Sequence, residues 1–134
     1  MEVTMKKEQP ITIAVVDDNA LIRESVKFRL KSLGYNVVME AENGQEFLDK
    51  LHESNTPDIC VLDINMPVMN GLETTVHLKK DWPAMKIIFF SMEDSSIYIN
   101  KGIQLGADGF VAKDAPFMDL NNMLLTVIKQ VQVA

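Results

Sequence analysis

Residues 59–71 read Ile59-Cys60-Val61-Leu62-Asp63-Ile64-Asn65-Met66-Pro67-Val68-Met69-Asn70-Gly71. Four consecutive apolar residues stop abruptly at an aspartate, and a turn-rich segment follows. An apolar run without alternation is the pattern of a strand covered on both faces, as in a parallel sheet between helices. Outward from this run lie four others: Ile11–Val16, Tyr35–Met39, Ile87–Phe90 and Gly109–Ala112. All but Tyr35–Met39 are nearly continuous in apolar character.

Helical periodicity fills the gaps. Ile22, Val26, Leu30 and Leu33 make one stripe, and Gly34 reads as its stop. Phe47, Leu48 and Leu51 mark a shorter segment before Pro57, and Leu72 and Val76 a third that reaches Lys79-Lys80. Ser95 to Leu105 forms a fourth, ending at Gly106, and Trp82-Pro83 reads as a loop. The last helix follows Pro116 with Leu120, Leu124, Val127 and Val131 on one face. Strand and helix alternate five times, which predicts an α/β fold with a five-stranded parallel sheet and helices on both faces.

Length bounds the organisation. A chain of 134 residues fits one domain, expected over residues 10–134, with residues 1–9 as a loose tail. The net charge of −6 argues against direct nucleic acid binding by this segment, which would want a clustered basic face. No stretch approaches the roughly 20 apolar residues of a membrane span. The lysines near the N-terminus precede no apolar run of the signal-peptide kind. The expected location is cytoplasmic. The single cysteine, Cys60, lies inside an apolar run and reads as a buried small hydrophobe.

Polar residues fall at the strand ends. The first strand ends in Asp17-Asp18, the third in Asp63, the fourth in Ser91 and the fifth in Lys113. In a parallel sheet these ends share one edge, where ligands of open α/β sheets bind, at the point where strand order reverses. If the order is 2-1-3-4-5, which is borrowed from known folds of this type, that point lies between strands one and three, and Asp17, Asp18 and Asp63 would be neighbours. Three close carboxylates repel one another and call for compensation, naturally a hard divalent cation such as Mg²⁺. With Lys113 and the Ser91 hydroxyl beside them, the parts suit phosphoryl transfer.

Each residue alone has an ordinary use. Asp18 or Asn19 can cap a helix, a lone Asp or Ser can close a turn or cap a helix, and a lone lysine is usually at the surface. Glu93 can serve as a charge favoured near a helix N-terminus. His52 and His77 have no partners at metal-ligand spacing. Joint occurrence at four strand ends is what sets the acidic group apart.

Four motifs, Val15-Val16-Asp17-Asp18-Asn19, Val61 through Gly71, Phe89-Phe90-Ser91 and Gly106 through Lys113, closely resemble the receiver domain of two-component response regulators. The resemblance runs from about Ile11 to Val131, and an apolar strand entering Asp and then Met-Pro-x-Met-x-Gly is its most specific part. It implies a flavodoxin-like fold with strand order 2-1-3-4-5. It also implies that Asp63 accepts a phosphoryl group from a phosphohistidine of a sensor histidine kinase. Asp18 and Asp63, with the Asn65 backbone carbonyl, would ligate Mg²⁺, and Asp17 would act through a metal-bound water. Lys113 would pair with the phosphoryl group. Ser91 would bond to it and shift, and Phe110 would turn inward, remodelling the face of helix 4, strand 5 and helix 5. That face is a candidate homodimer surface. Asn65 and Glu93 would tune loss of the phosphoryl group.

Two departures stand out. The aromatic switch residue is Phe110 rather than Tyr, and Asp114 stands where many relatives have Pro after the lysine. The family's cis bond there is carried over to Lys113–Asp114 as an expectation, though a costly one for a non-proline. The Gly109 to Ala115 segment resembles regulators with a C-terminal helix-turn-helix DNA-binding domain. The expected output is therefore transcription control through an effector outside this chain, with a stand-alone receiver acting on a protein partner as the alternative. A phosphatase using Asp63 would want an acid at position 65, where Asn65 stands. A pure docking module would have no need of the five-residue set. The chain is expected to be a phosphoacceptor and not an enzyme in its own right.

Overall fold

In the computed structural model, which describes residues 10–133, all five apolar runs are strands. They are β1 Thr12–Val16, β2 Asn36–Ala41, β3 Ile59–Leu62, β4 Lys86–Ser91 and β5 Gly109–Ala112. The helices are α1 Ala20–Ser32, α2 Gly44–Lys50, α3 Gly71–Asp81, α4 Ser96–Gln104 and α5 Phe117–Val133. All strand pairs are parallel and the sheet order is β2-β1-β3-β4-β5. The tail expected at residues 1–9 and the final Ala134 lie outside the described residues. No described helix is long and apolar enough to cross a membrane.

The unbroken apolar strands are explained by two cores, one on each sheet face. Successive strand side chains point to opposite faces. Ala14, Val16, Cys60, Leu62, Ile87 and Phe89 enter a core with Phe47 of α2 and Leu78 of α3. Their neighbours Ile13, Val15, Ile59, Val61, Ile88 and Phe90 enter the other with α1 and α5, through Val26, Leu30, Leu120, Leu124 and Val127. Truncating a fully buried Phe47 or Phe89 would cost about 3–5 kcal/mol. Helix α4 lies so close to the sheet that a Cβ on Gly102 would overlap the Phe89 ring.

Some expectations shift. Leu33 and Val76, placed by periodicity on core stripes, are exposed. Leu33 is already the C-cap of α1 and leaves the stripe there. On α3 the inward face is instead Gly71, Thr74, Thr75 and Leu78. The two threonine hydroxyls donate to the carbonyls of Asn70 and Gly71 at 2.7 and 2.8 Å, so their burial leaves no polar group unpaired. Trp82 is not a free loop residue: it caps α3 and packs on the core. Strand β2 runs past the apolar run ending at Met39, through Glu40 to Ala41. Glu40 is tolerated there because Arg23 and Lys27 of α1 neutralise it.

The Lys113–Asp114 peptide is trans, since no described peptide bond is cis. This overturns the bond carried over from relatives. Asp114 has no pyrrolidine ring to lower the cost of the cis form, which for a non-proline is about 3–4 kcal/mol.

Candidate functional site

The reversal of strand order between β1 and β3 brings the three acidic residues together. One carboxylate oxygen from each of Asp17, Asp18 and Asp63 lies within 4.8 Å of the others. Asp17 and Asp63 are buried and Asp18 is exposed. Strand β1 places the first pair, and the Asp63 backbone N–H donates to the Val16 carbonyl at 3.0 Å, extending the β1–β3 ladder into the site.

The cap of α1 is Asn19, whose side chain accepts from the Ile22 N–H at 3.1 Å. Asp18 is therefore not needed as a cap, and among the described residues its carboxylate has no hydrogen-bond or ion-pair partner. Asp17 turns one oxygen to the Asn19 N–H at 2.9 Å and the other to Lys113 Nζ at 2.7 Å. Lys113 Nζ is also 2.9 Å from Asp63 Oδ2, and its side chain is only 8% exposed, so it is no surface lysine. The second Asp63 oxygen accepts from the Ile64 N–H at 2.7 Å.

Electrostatics follow from this packing. Burial pushes the Asp17 carboxyl above its ordinary value; Lys113 and the Asn19 N–H pull it back, and the charge of Asp63 adds to the rise. Burial alone would lower the Lys113 ammonium, but Asp17 and Asp63 outweigh it and leave Lys113 above its ordinary value. The site thus holds a cation on a fixed stem against two buried anions, with a third anion facing water. Three oxygen ligands so close suit a hard divalent ion of the Mg²⁺ kind, which takes a few carboxylates and retains water.

The remaining predicted residues rim the same edge. Ser91 is buried at the end of β4, and its hydroxyl accepts from the Glu93 N–H at 3.1 Å. The cap of α4 is Ser95, not Ser91. Glu93 lies ahead of α4 and not within it. Its carboxylate accepts from Asn65 Nδ2 and from the Ser95 N–H, each at 3.3 Å, so Asn65 and Glu93 meet across the mouth. Phe110 is half-buried, packed on the core that contains Phe89 and open to a groove of about 430 Å³ beside Met123 of α5. His52 and His77 lie elsewhere, outside the described three-carboxylate cluster.

Two residues escaped the sequence reading. Arg23 of α1 donates from Nη1 to the Asp17 carbonyl at 2.7 Å and from Nε to Glu40 at 2.9 Å. Their only sequence trace is a charge four residues after the cap and another inside a strand, neither of which is unusual by itself.

The loop after β3 is shaped for closeness. Gly71 N–H donates to the Ile64 carbonyl at 2.7 Å, and a Cβ on Gly71 would overlap the Asp63 carbonyl oxygen. Val68 adopts φ 69°, uncommon for a β-branched residue. Asn70 and Glu73 then form a reciprocal capping box that starts α3.

Comparison with known proteins agrees with this fold. The family model of the response regulator receiver domain matches residues 13–125. The nitrate/nitrite response regulator protein NarL of Escherichia coli K12 is 38% identical over 118 residues, 87% of this chain and 54% of NarL. The transcriptional regulatory protein DegU of Brevibacillus brevis is 34% identical over 109 residues, 80% of this chain and 45% of DegU. This chain spans about half the length of these two relatives. Among solved structures, a CheY-like response regulator receiver domain protein from Methanospirillum hungatei superposes with a TM-score of 0.84 at 27% identity, over 92% of this chain and 98% of that one. The chain belongs to the response regulator receiver domain family.

Proposed function

We propose that Asp63 is the phosphoacceptor of a signalling switch, charged from a phosphohistidine of a sensor histidine kinase. The observation that carries this reading is Lys113 Nζ, held 2.7 Å from Asp17 and 2.9 Å from Asp63 beside a third carboxylate. An Asp63 oxygen attacks phosphorus as the donor N–P bond breaks. The electron pair of that bond stays on the imidazole nitrogen, which takes up a proton. Asp17, Asp18 and Asp63, with the Asn65 carbonyl, would hold Mg²⁺, which offsets charge on the transferring oxygens. Lys113 supplies a second positive charge at the same place. The groove of about 250 Å³ between Lys113, Leu21, Ile22 and Phe117 gives a donor an apolar approach.

Readout begins at Ser91. To donate to the new phosphoryl oxygen, its hydroxyl reorients away from the Glu93 N–H. Phe110, lying between core and groove, follows by packing alone because it has no hydroxyl. The face it edits carries exposed Ile97, Tyr98 and Ile103 of α4 and Met118 and Leu125 of α5, apolar enough to pair two copies. Asn65 and Glu93, meeting over the mouth, stand where they would govern water access and so the lifetime of the acyl phosphate. Catalysis by this domain is confined to its own phosphorylation and dephosphorylation.

The likeness to NarL and DegU supports transcription control through an effector domain beyond this chain. The near-full-length match to the CheY-like receiver supports the alternative, a stand-alone receiver acting on a protein partner; sequencing the codons after Ala134 separates the two. For the chemistry, the test is intact-mass spectrometry after treatment with acetyl phosphate and Mg²⁺. One labile phosphoryl adduct is expected, absent in Asp63→Asn. An adduct that survives this substitution, or no adduct on the parent chain, refutes the reading.

A further inference from the structure

We infer that Arg23 is a positioning residue for the cation-binding loop, acting through the peptide that joins Asp17 to Asp18. This rests on the reading above that Asp18 ligates a divalent cation. Asp17 is tied at every polar group: its N–H to the Ala41 carbonyl at 3.0 Å, its carboxylate to the Asn19 N–H and Lys113, and its carbonyl to Arg23 Nη1 at 2.7 Å. Asp18 is the opposite, because nothing among the described residues holds its carboxylate. Its direction is therefore set by the backbone that delivers it, and the plane of that peptide is fixed by the Arg23 guanidinium.

The guanidinium is itself anchored. Its Nε donates to Glu40 on β2 at 2.9 Å, and the other Glu40 oxygen takes Lys27 at 2.6 Å. Glu40 pairs in register with Val15, two residues before Asp17. A planar fork can serve two acceptors in fixed directions, which an ammonium cannot. The Arg23 side chain is 12% exposed, so water competes little for these bonds. Partners that orient a ligand from behind typically matter tenfold or more in metal affinity.

The sign of the effect separates positioning from plain electrostatics. Removing a positive charge near an acidic site should tighten Mg²⁺ binding if only the field matters. Loss of a positioning contact should weaken it. Isothermal titration of the chain with Mg²⁺ alone, in wild type, Arg23→Ala, Arg23→Lys, Glu40→Gln and Lys27→Ala, reads this out. Arg23→Ala is expected to weaken Mg²⁺ about tenfold. Arg23→Lys, which keeps the charge, is expected to weaken it severalfold, and Glu40→Gln less. Lys27→Ala, which loses the same charge on the same glutamate without touching the loop, should bind within about twofold of wild type or more tightly. Arg23 variants that lose thermal stability but bind Mg²⁺ as tightly as wild type would overturn the inference. Wild type that fails to bind Mg²⁺ at all would instead overturn the cation reading, and this inference with it.

Discussion

Replacing Lys113 with methionine keeps the length of the stem and deletes the charge that Asp17 and Asp63 share. Removing one partner of a buried ion pair typically costs about 3–5 kcal/mol, because an unpaired charge is left behind. The chain can limit this by taking up a proton. Asp17 already sits above its ordinary value through burial, and loss of Lys113 drives it further up. A carboxyl whose folded pKa exceeds its unfolded one destabilises the fold progressively as pH rises between the two values. The slope is about 1.36 kcal/mol per pH unit. In wild type the Lys113 contribution is fully present throughout this window, because a raised lysine loses its share only on the alkaline side of its ordinary value. The gap between wild type and Lys113→Met should therefore be about 3–5 kcal/mol at pH 7. It should shrink toward pH 5, at most at that slope, over the pH range in which Asp17 keeps its proton in the variant and has lost it in wild type. Urea unfolding in chelator, followed through the single tryptophan, Trp82, measures both. A gap below about 1 kcal/mol at pH 7, equal at pH 5, would show that Lys113 does not neutralise buried carboxylates.

Two further outcomes test the loop after β3. Val68→Gly should stabilise the chain by about 1 kcal/mol, since glycine adopts φ 69° without the cost a β-branched residue bears and gives back part of the gain as chain entropy; a loss of stability in urea unfolding would contradict this. Gly71→Ala should destabilise by about 1–3 kcal/mol and slow labelling of Asp63 by acetyl phosphate, because the new methyl group must displace the Asp63 carbonyl; unchanged melting and labelling would count against the close fit.

Most of the fold was readable because each strand is covered on both faces, and a strand so covered announces itself as an unbroken apolar run. The exception is instructive. Strand β2 lies at the edge, alternates, and carries Glu40 inward of its end, so composition ended it too early at Met39. Helix α3 misled for a related reason: Thr74 and Thr75 satisfy their hydroxyls on the preceding turn, and a satisfied threonine packs like valine. The acidic cluster was legible because charged residues directly follow apolar strands whose ends share one edge. Arg23 was not, because its role depends on a guanidinium reaching back over a turn to a carbonyl, and a backbone acceptor leaves no mark in a sequence. The Lys113–Asp114 geometry was misjudged by carrying a proline-dependent feature to a position without proline.

Cys60 gives the molecule a built-in gauge. It lies fully buried at the middle of the central strand, three positions from Asp63, and burial pushes its thiol well above the ordinary range. In the closed fold it is neither reachable nor a thiolate, so a thiol reagent can modify it only when the heart of the sheet parts. Any species that binds the closed form alone must retard that modification by the factor through which it shifts the opening equilibrium. The rate at which one sulfur is alkylated is thus a direct scale for how firmly the acidic edge is clasped, in an unaltered chain and without a label.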